Sequence, residues 1–127
     1  MTKEQMKKFG EFIEERRKKA DITLRGLASL LDIAPSYMSD IEKGRRYPPD
    51  KEKLDEIAKI LMLSEEDKNL MFDLAAKEKE NTISQDLPEY IMEKDLVRVA
   101  LRKARDTNAS DQKWQQIIKI LDEREES

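Results

Sequence analysis

A chain of 127 residues suits one domain of ordinary size, or a small domain with another appended. With 38% apolar and 42% charged residues, any core must be assembled from thin apolar stripes; the absence of both cysteine and histidine excludes disulfides, thiol chemistry, the usual zinc sites and the Cys-His and Ser-His-Asp nucleophiles. The net charge of −3 is unevenly divided, since residues 1–50 hold 11 Lys and Arg against 9 Asp and Glu while residues 51–127 hold 14 against 19, which leaves the N-terminal part locally basic.

Three glycines, four prolines and no alternating β-branched runs point to an all-α chain. No run of about 18 apolar residues and no apolar leader is present, so the expectation is a soluble, cytoplasmic protein with no membrane partner. Carboxylate pairs are too common among 28 Asp and Glu to single out a catalytic dyad, and no enzyme, cofactor or metal is expected.

Residues 4–20 carry Met6, Phe9, Phe12 and Ile13 at helical spacing, which predicts an amphipathic first helix. Thr23 is placed to cap a second, Leu24 to Leu31, with Leu27, Ala28 and Leu31 on one face. A third runs from about Pro35 to Lys43, opened by a proline that has no orphan N–H and stopped by Gly44. Asp50 caps a fourth, where Leu54, Ile57, Ala58, Leu61 and Met62 recur at i, i+3, i+4, i+7 and i+8. Ser64-Glu65-Glu66-Asp67 resembles a capping box with Asp in place of Glu, and opens a fifth helix through about Lys77.

The stretch KEKENTISQDL then loses its periodicity. Beyond it, Asp86-Leu87-Pro88-Glu89 starts a helix with Tyr90, Ile91 and Met92; Leu96, Val97, Ala100, Leu101 and Ala104 form a second stripe, and Trp114, Ile117, Ile118 and Leu121 a third. The expected organisation is a five-helix domain over residues 1–79, a linker over 80–87 and a helical extension over 88–127. Met38, Met62, Met71 and Met92 are expected to fill the core, and residues 122–127 (DEREES) to form a solvated end.

The second and third helices are joined by about four residues, as in a helix-turn-helix unit, whose second helix enters the major groove. Leu27, Ala28, Ile33, Met38 and Ile41 would hold the pair together while Pro35, Ser36, Ser39 and Asp40 face outward. Arg17 six residues before Thr23, Leu27-Ala28, Ile33, Ser39, Ile41-Glu42, Gly44, Pro48-Pro49, Leu54, Ile57-Ala58 and Leu61 follow in a specific order. By these features residues 9 to about 63 resemble the Xre and lambda-repressor-like helix-turn-helix family, which implies a five-helix DNA-binding domain.

The resemblance implies roles as well. Arg17 and Glu42 match an ion pair that ties the first helix to the end of the recognition helix. Pro35, Ser36 and Asp40 match base-facing positions with Ser39 beside them; Asp40 would accept from cytosine N4 and Ser36 would donate or accept. Lys43, Arg45 and Arg46 match the phosphate-holding segment, where Tyr47 either stacks on sugar or packs under the loop. Two positions depart from the pattern: Leu24 stands where a phosphate-contacting glutamine is common, and Asp32 where the turn often has glycine.

One such module covers about half an operator, because dimers read half-sites about 34 Å apart. The stripe of Trp114, Ile117, Ile118 and Leu121 fits a helix packed on its own body or across a two-fold axis, and homodimerisation is expected there. The region from Leu87 onward is similar to C-terminal extensions of small phage and mobile-element repressors. The sequence thus predicts a dimeric repressor of double-stranded DNA operators, switched, if at all, by a regulatory protein partner. The alternatives are an antitoxin that binds a protein toxin and autoregulates its operon, and a protein-interaction adaptor that has lost DNA binding.

Overall fold

The computed structural model describes residues 8–123 and, among them, eight helices and no strand. Met6 of the first stripe and residues 124–127 of the acidic end lie outside the described residues. Two compact units divide the chain, Met1–Pro88 and Glu89–Ser127.

The first unit holds α1 (Phe9–Lys19), α2 (Leu24–Leu30), α3 (Pro35–Glu42), α4 (Lys51–Ile60) and α5 (Glu65–Lys77). Short polar side chains start three of them: Thr23 Oγ1 accepts from the Gly26 N–H at 3.0 Å, Asp50 Oδ1 from Lys53 at 3.1 Å and Ser64 Oγ from Asp67 at 3.1 Å. α1 has no local side-chain cap; its Phe9 N–H donates instead to Glu78 Oε1 at 3.2 Å, from just beyond α5.

The first four helices end alike. A residue in the left-handed region follows each C-cap: Asp21 (φ 58°), Asp32 (φ 57°), Gly44 (φ 74°) and Met62 (φ 52°). The next N–H then bonds back into the last turn, Ile22 to Arg17 O, Ile33 to Ala28 O, Arg45 to Asp40 O and Leu63 to Ala58 O. Aspartate tolerates this conformation better than most residues. Methionine does not, and Met62 is 88% exposed.

This corrects the expectation that Met62 fills the core. α4 stops at Ile60 and the chain changes hand at residue 62, so the i+8 position never joins the stripe. Met92 is likewise exposed, on a helix of six residues that buries none, whereas Met38 and Met71 are fully buried. Met62→Gly is expected to raise stability by about 0.5–1 kcal/mol, the left-handed strain relieved less the entropy that glycine adds to the unfolded chain. A higher urea midpoint with unchanged m-value would show it; a lower midpoint would mean the Met62 side chain makes a contact worth more than the strain.

The core of this unit is one cluster: Phe9, Phe12 and Ile13 from α1, Leu27 and Ala28 from α2, Met38 and Ile41 from α3, Leu54 and Ile57 from α4, and Met71, Phe72 and Leu74 from α5. Each large side chain so buried contributes about 1.5–3 kcal/mol. Polar ties run between the helices. Arg16 forks onto Asp67 (Nε to Oδ2 3.0 Å, Nη2 to Oδ1 3.2 Å), joining α1 to α5, so the Asp67 carboxylate serves a distant arginine. Lys53 Nζ donates to Leu31 O at 2.6 Å and so closes the end of α2 from α4.

Residues 80–87, expected as a linker, belong to this first unit. Thr82 Oγ1 lies 2.5 Å from Ala76 O and so finishes α5, and buried Ser84 donates to the Asp73 carboxylate.

α6 (Pro88–Glu93) straddles the boundary, and the second unit continues with α7 (Asp95–Asp106) and α8 (Asp111–Asp122). Arg98 Nη1 donates to Ile91 O at 2.9 Å and Met92 O at 2.7 Å, bracing α7 against the end of α6. α7 ends on left-handed Asn108, with Ala109 N bonded to Ala104 O, and Ser110 Oγ caps α8 by accepting from the Lys113 N–H at 3.2 Å. None of these three helices has a buried residue.

Candidate nucleic-acid interface

Residues 31–34 join α2 to α3. The left-handed Asp32 makes the turn, Ile33 packs against the core, and Leu27, Ala28, Met38 and Ile41 are buried between the helices. Those inward positions leave α3 an outer face that begins with Pro35 and Ser36, both exposed, and continues through the half-buried Ser39 and Asp40 to exposed Lys43. The leading side chains of such a second helix are the ones that reach base edges. Ser36 offers a donor and an acceptor there.

The angle of α3 is fixed from behind. Arg17 Nε donates to Glu42 Oε2 at 2.8 Å and Nη2 to Oε1 at 3.0 Å, while Nη1 donates to Ile22 O at 3.0 Å. Both residues are buried, and the Glu42 carboxylate raises the guanidinium pKa above its ordinary value, so Arg17 stays charged at any pH the fold meets. Sequence reasoning missed the residue that makes this approach possible. A Cβ at Gly10 would meet Glu42 O at 2.2 Å and Ile41 O at 2.7 Å, so α1 and α3 touch backbone to backbone. An isolated glycine inside a helical pattern was the available signal.

Beyond α3 the chain presents Arg45, Arg46 and Tyr47, all exposed. Arg46 lies over the Tyr37 ring, 5.1 Å from its centroid, and Lys79 approaches the Tyr47 ring at 5.6 Å. Tyr47 is 64% exposed and is therefore not packed under the loop. Asp40 turns its carboxylate toward the arginines, with Oδ1 3.7 Å from Arg45 Nη1 and Oδ2 3.8 Å from Arg46 Nε. Leu24 packs against the core, so this position serves the fold. In the second unit Trp114 and Ile117 are half-buried, while Ile118 and Leu121 are 56% and 76% exposed.

A family model described as a helix-turn-helix domain matches residues 8–71, half of the chain. The chain belongs to this helix-turn-helix family, and it is all-helical over the described residues. The span from residue 9 to about 63 that resembles Xre and lambda-repressor-like proteins falls inside the match. Among solved structures, a complex of the SinR protein with the SinI protein is similar, at 21% identity over 89% of this chain and 93% of that one, with a TM-score of 0.44. No curated protein sequence matches. Among the described residues no helix is long and apolar enough to cross a membrane, and no cluster of three Asp or Glu could hold a metal ion.

Proposed function

We propose that the protein is a sequence-specific regulator that binds duplex DNA as a dimer and represses transcription by covering a promoter. The observation that carries this reading is the outer face of α3, where small polar side chains lead the helix and three cations follow it, Lys43, Arg45 and Arg46. Ser36 and Ser39 have the size and chemistry to meet base edges, while the cations meet phosphates. Dimerisation draws support from the second unit, where Leu96, Ile118 and Leu121 are exposed and no helix has a buried residue. Apolar stripes left open in one copy are the raw material of a two-fold contact. The adaptor reading draws on Leu24 packed against the core and on Asp40 beside the arginines.

Selection from a random duplex library of about 30 base pairs separates them. The expected outcome is a palindrome with half-sites spaced by about one helical turn. No enrichment from folded protein would favour the adaptor. On the selected site, Arg45→Ala with Arg46→Ala is expected to reduce the slope of log affinity against log salt by about 1.8, at about 0.9 per phosphate contact removed. An unchanged slope would remove both arginines from the interface.

A further inference from the structure

We propose that Asp40 is the internal counter-ion of Arg45 and Arg46, holding both guanidinium groups away from phosphate in the free protein and so restraining its affinity for DNA of any sequence. This inference rests on the DNA-binding reading above, and it gives Asp40 a task other than accepting from cytosine.

The geometry places one carboxylate between two arginines. Asp40 Oδ1 is 3.7 Å from Arg45 Nη1 and Oδ2 is 3.8 Å from Arg46 Nε. Their relative register is fixed by the backbone, because the Arg45 N–H donates to Asp40 O at 2.8 Å in the turn that Gly44 makes. Arg46 is further held over Tyr37, one turn earlier on α3. Arg45 and Arg46 line the same shallow cleft as Tyr37 and Tyr47.

Ion pairs this open and this long contribute little to folding, since water screens them and the side chains lose freedom in making them. The arginine side chains are 68% and 58% exposed. The consequence falls on binding. A phosphate must displace Asp40 from each arginine to reach it, on every DNA sequence alike. Non-specific affinity comes almost wholly from such phosphate contacts, so a counter-ion here lowers it directly. The acidic residue that lines the cleft, Glu78, already accepts from the Phe9 N–H through Oε1.

The test is a double-mutant cycle on a random-sequence duplex, followed by fluorescence anisotropy at stepped salt. Asp40→Asn keeps the shape and removes the charge. It is expected to tighten binding about threefold at low salt and to steepen the salt slope by about 0.9, so that the gain fades over a fourfold rise in salt. In the Arg45→Ala, Arg46→Ala background the same change is expected to gain nothing. The thermal midpoint should not move, which separates a counter-ion from a structural role.

An equal gain in both backgrounds would mean that Asp40 repels phosphate directly, and would overturn the proposal. So would no gain, or a loss confined to the selected operator with relaxed preference at one base, the signature of a base reader. If the wild type binds no duplex at low salt, the DNA-binding reading falls and this inference with it; binding without a response to Asp40→Asn overturns the counter-ion alone.

Discussion

Gly10→Ala is expected to cost the first unit about 3 kcal/mol or more, at the upper end of what an overpacked methyl group exacts. The added Cβ would stand 2.2 Å from Glu42 O, 2.7 Å from Glu42 C and 2.7 Å from Ile41 O. All three are backbone atoms, so no side chain can rotate out of the way. Relief requires α1 and α3 to separate, which strips Phe9, Phe12 and Ile13 from their cover and draws Arg17 off Glu42. A thermal midpoint lower by about 10–20 °C would register it. Gly44→Ala supplies the contrast in the same measurement: nothing lies within 4 Å of its Cβ position, so only the left-handed backbone resists, at about 1 kcal/mol. Equal losses would mean that α1 and α3 yield easily.

Arg17→Met is expected to destabilise by about 3–5 kcal/mol, because it leaves the Glu42 carboxylate buried without its cation. Two hydrogen bonds to that carboxylate vanish together with the one to Ile22 O, which closes the turn into α2. The double variant Arg17→Met, Glu42→Met should recover most of the loss, since the price of a buried pair lies in desolvation that an apolar pair avoids. Urea unfolding of the single and double variants measures both. The sign of the pH dependence follows from the raised guanidinium pKa: the contribution is complete below the unfolded-state value and lost only as pH rises through the folded one. The deficit of Arg17→Met should therefore owe nothing to arginine titration between about pH 6 and 9. A double variant as weak as the single would make the pair a net stabiliser in its own right.

What could be read in the sequence was local. Thr23, Asp50 and Ser64 cap helices through an amide three residues away, and such contacts lie within one turn of chain. Gly44 marked its stop for the same reason. Met62 shows the limit: the apolar period continued past Leu61, but a left-handed residue ended the helix, and no glycine announced it. The polar ties between Arg16 and Asp67, and between Lys53 and Leu31 O, join positions 51 and 22 apart, and charge is too common here for such pairs to stand out. Residues 80–87 were polar enough to suggest a linker, yet Ser84 finds Asp73 and is buried. Asp40 lay on the expected outer face of α3, but its orientation depends on how the chain turns at Gly44.

Glu78 gives the domain an order of assembly on the ribosome. α1 is synthesised first, yet its opening amide is capped from the far side of α5. At about 5–20 residues per second, α1 emerges seconds before the side chain that finishes it. A ribosome stalled before residue 72 would hold a chain whose first helix has neither its cap nor the cover of Phe72 and Leu74. The last helix of the unit thus completes its first, and the nascent chain is most open to proteases and chaperones until α5 has cleared the exit tunnel.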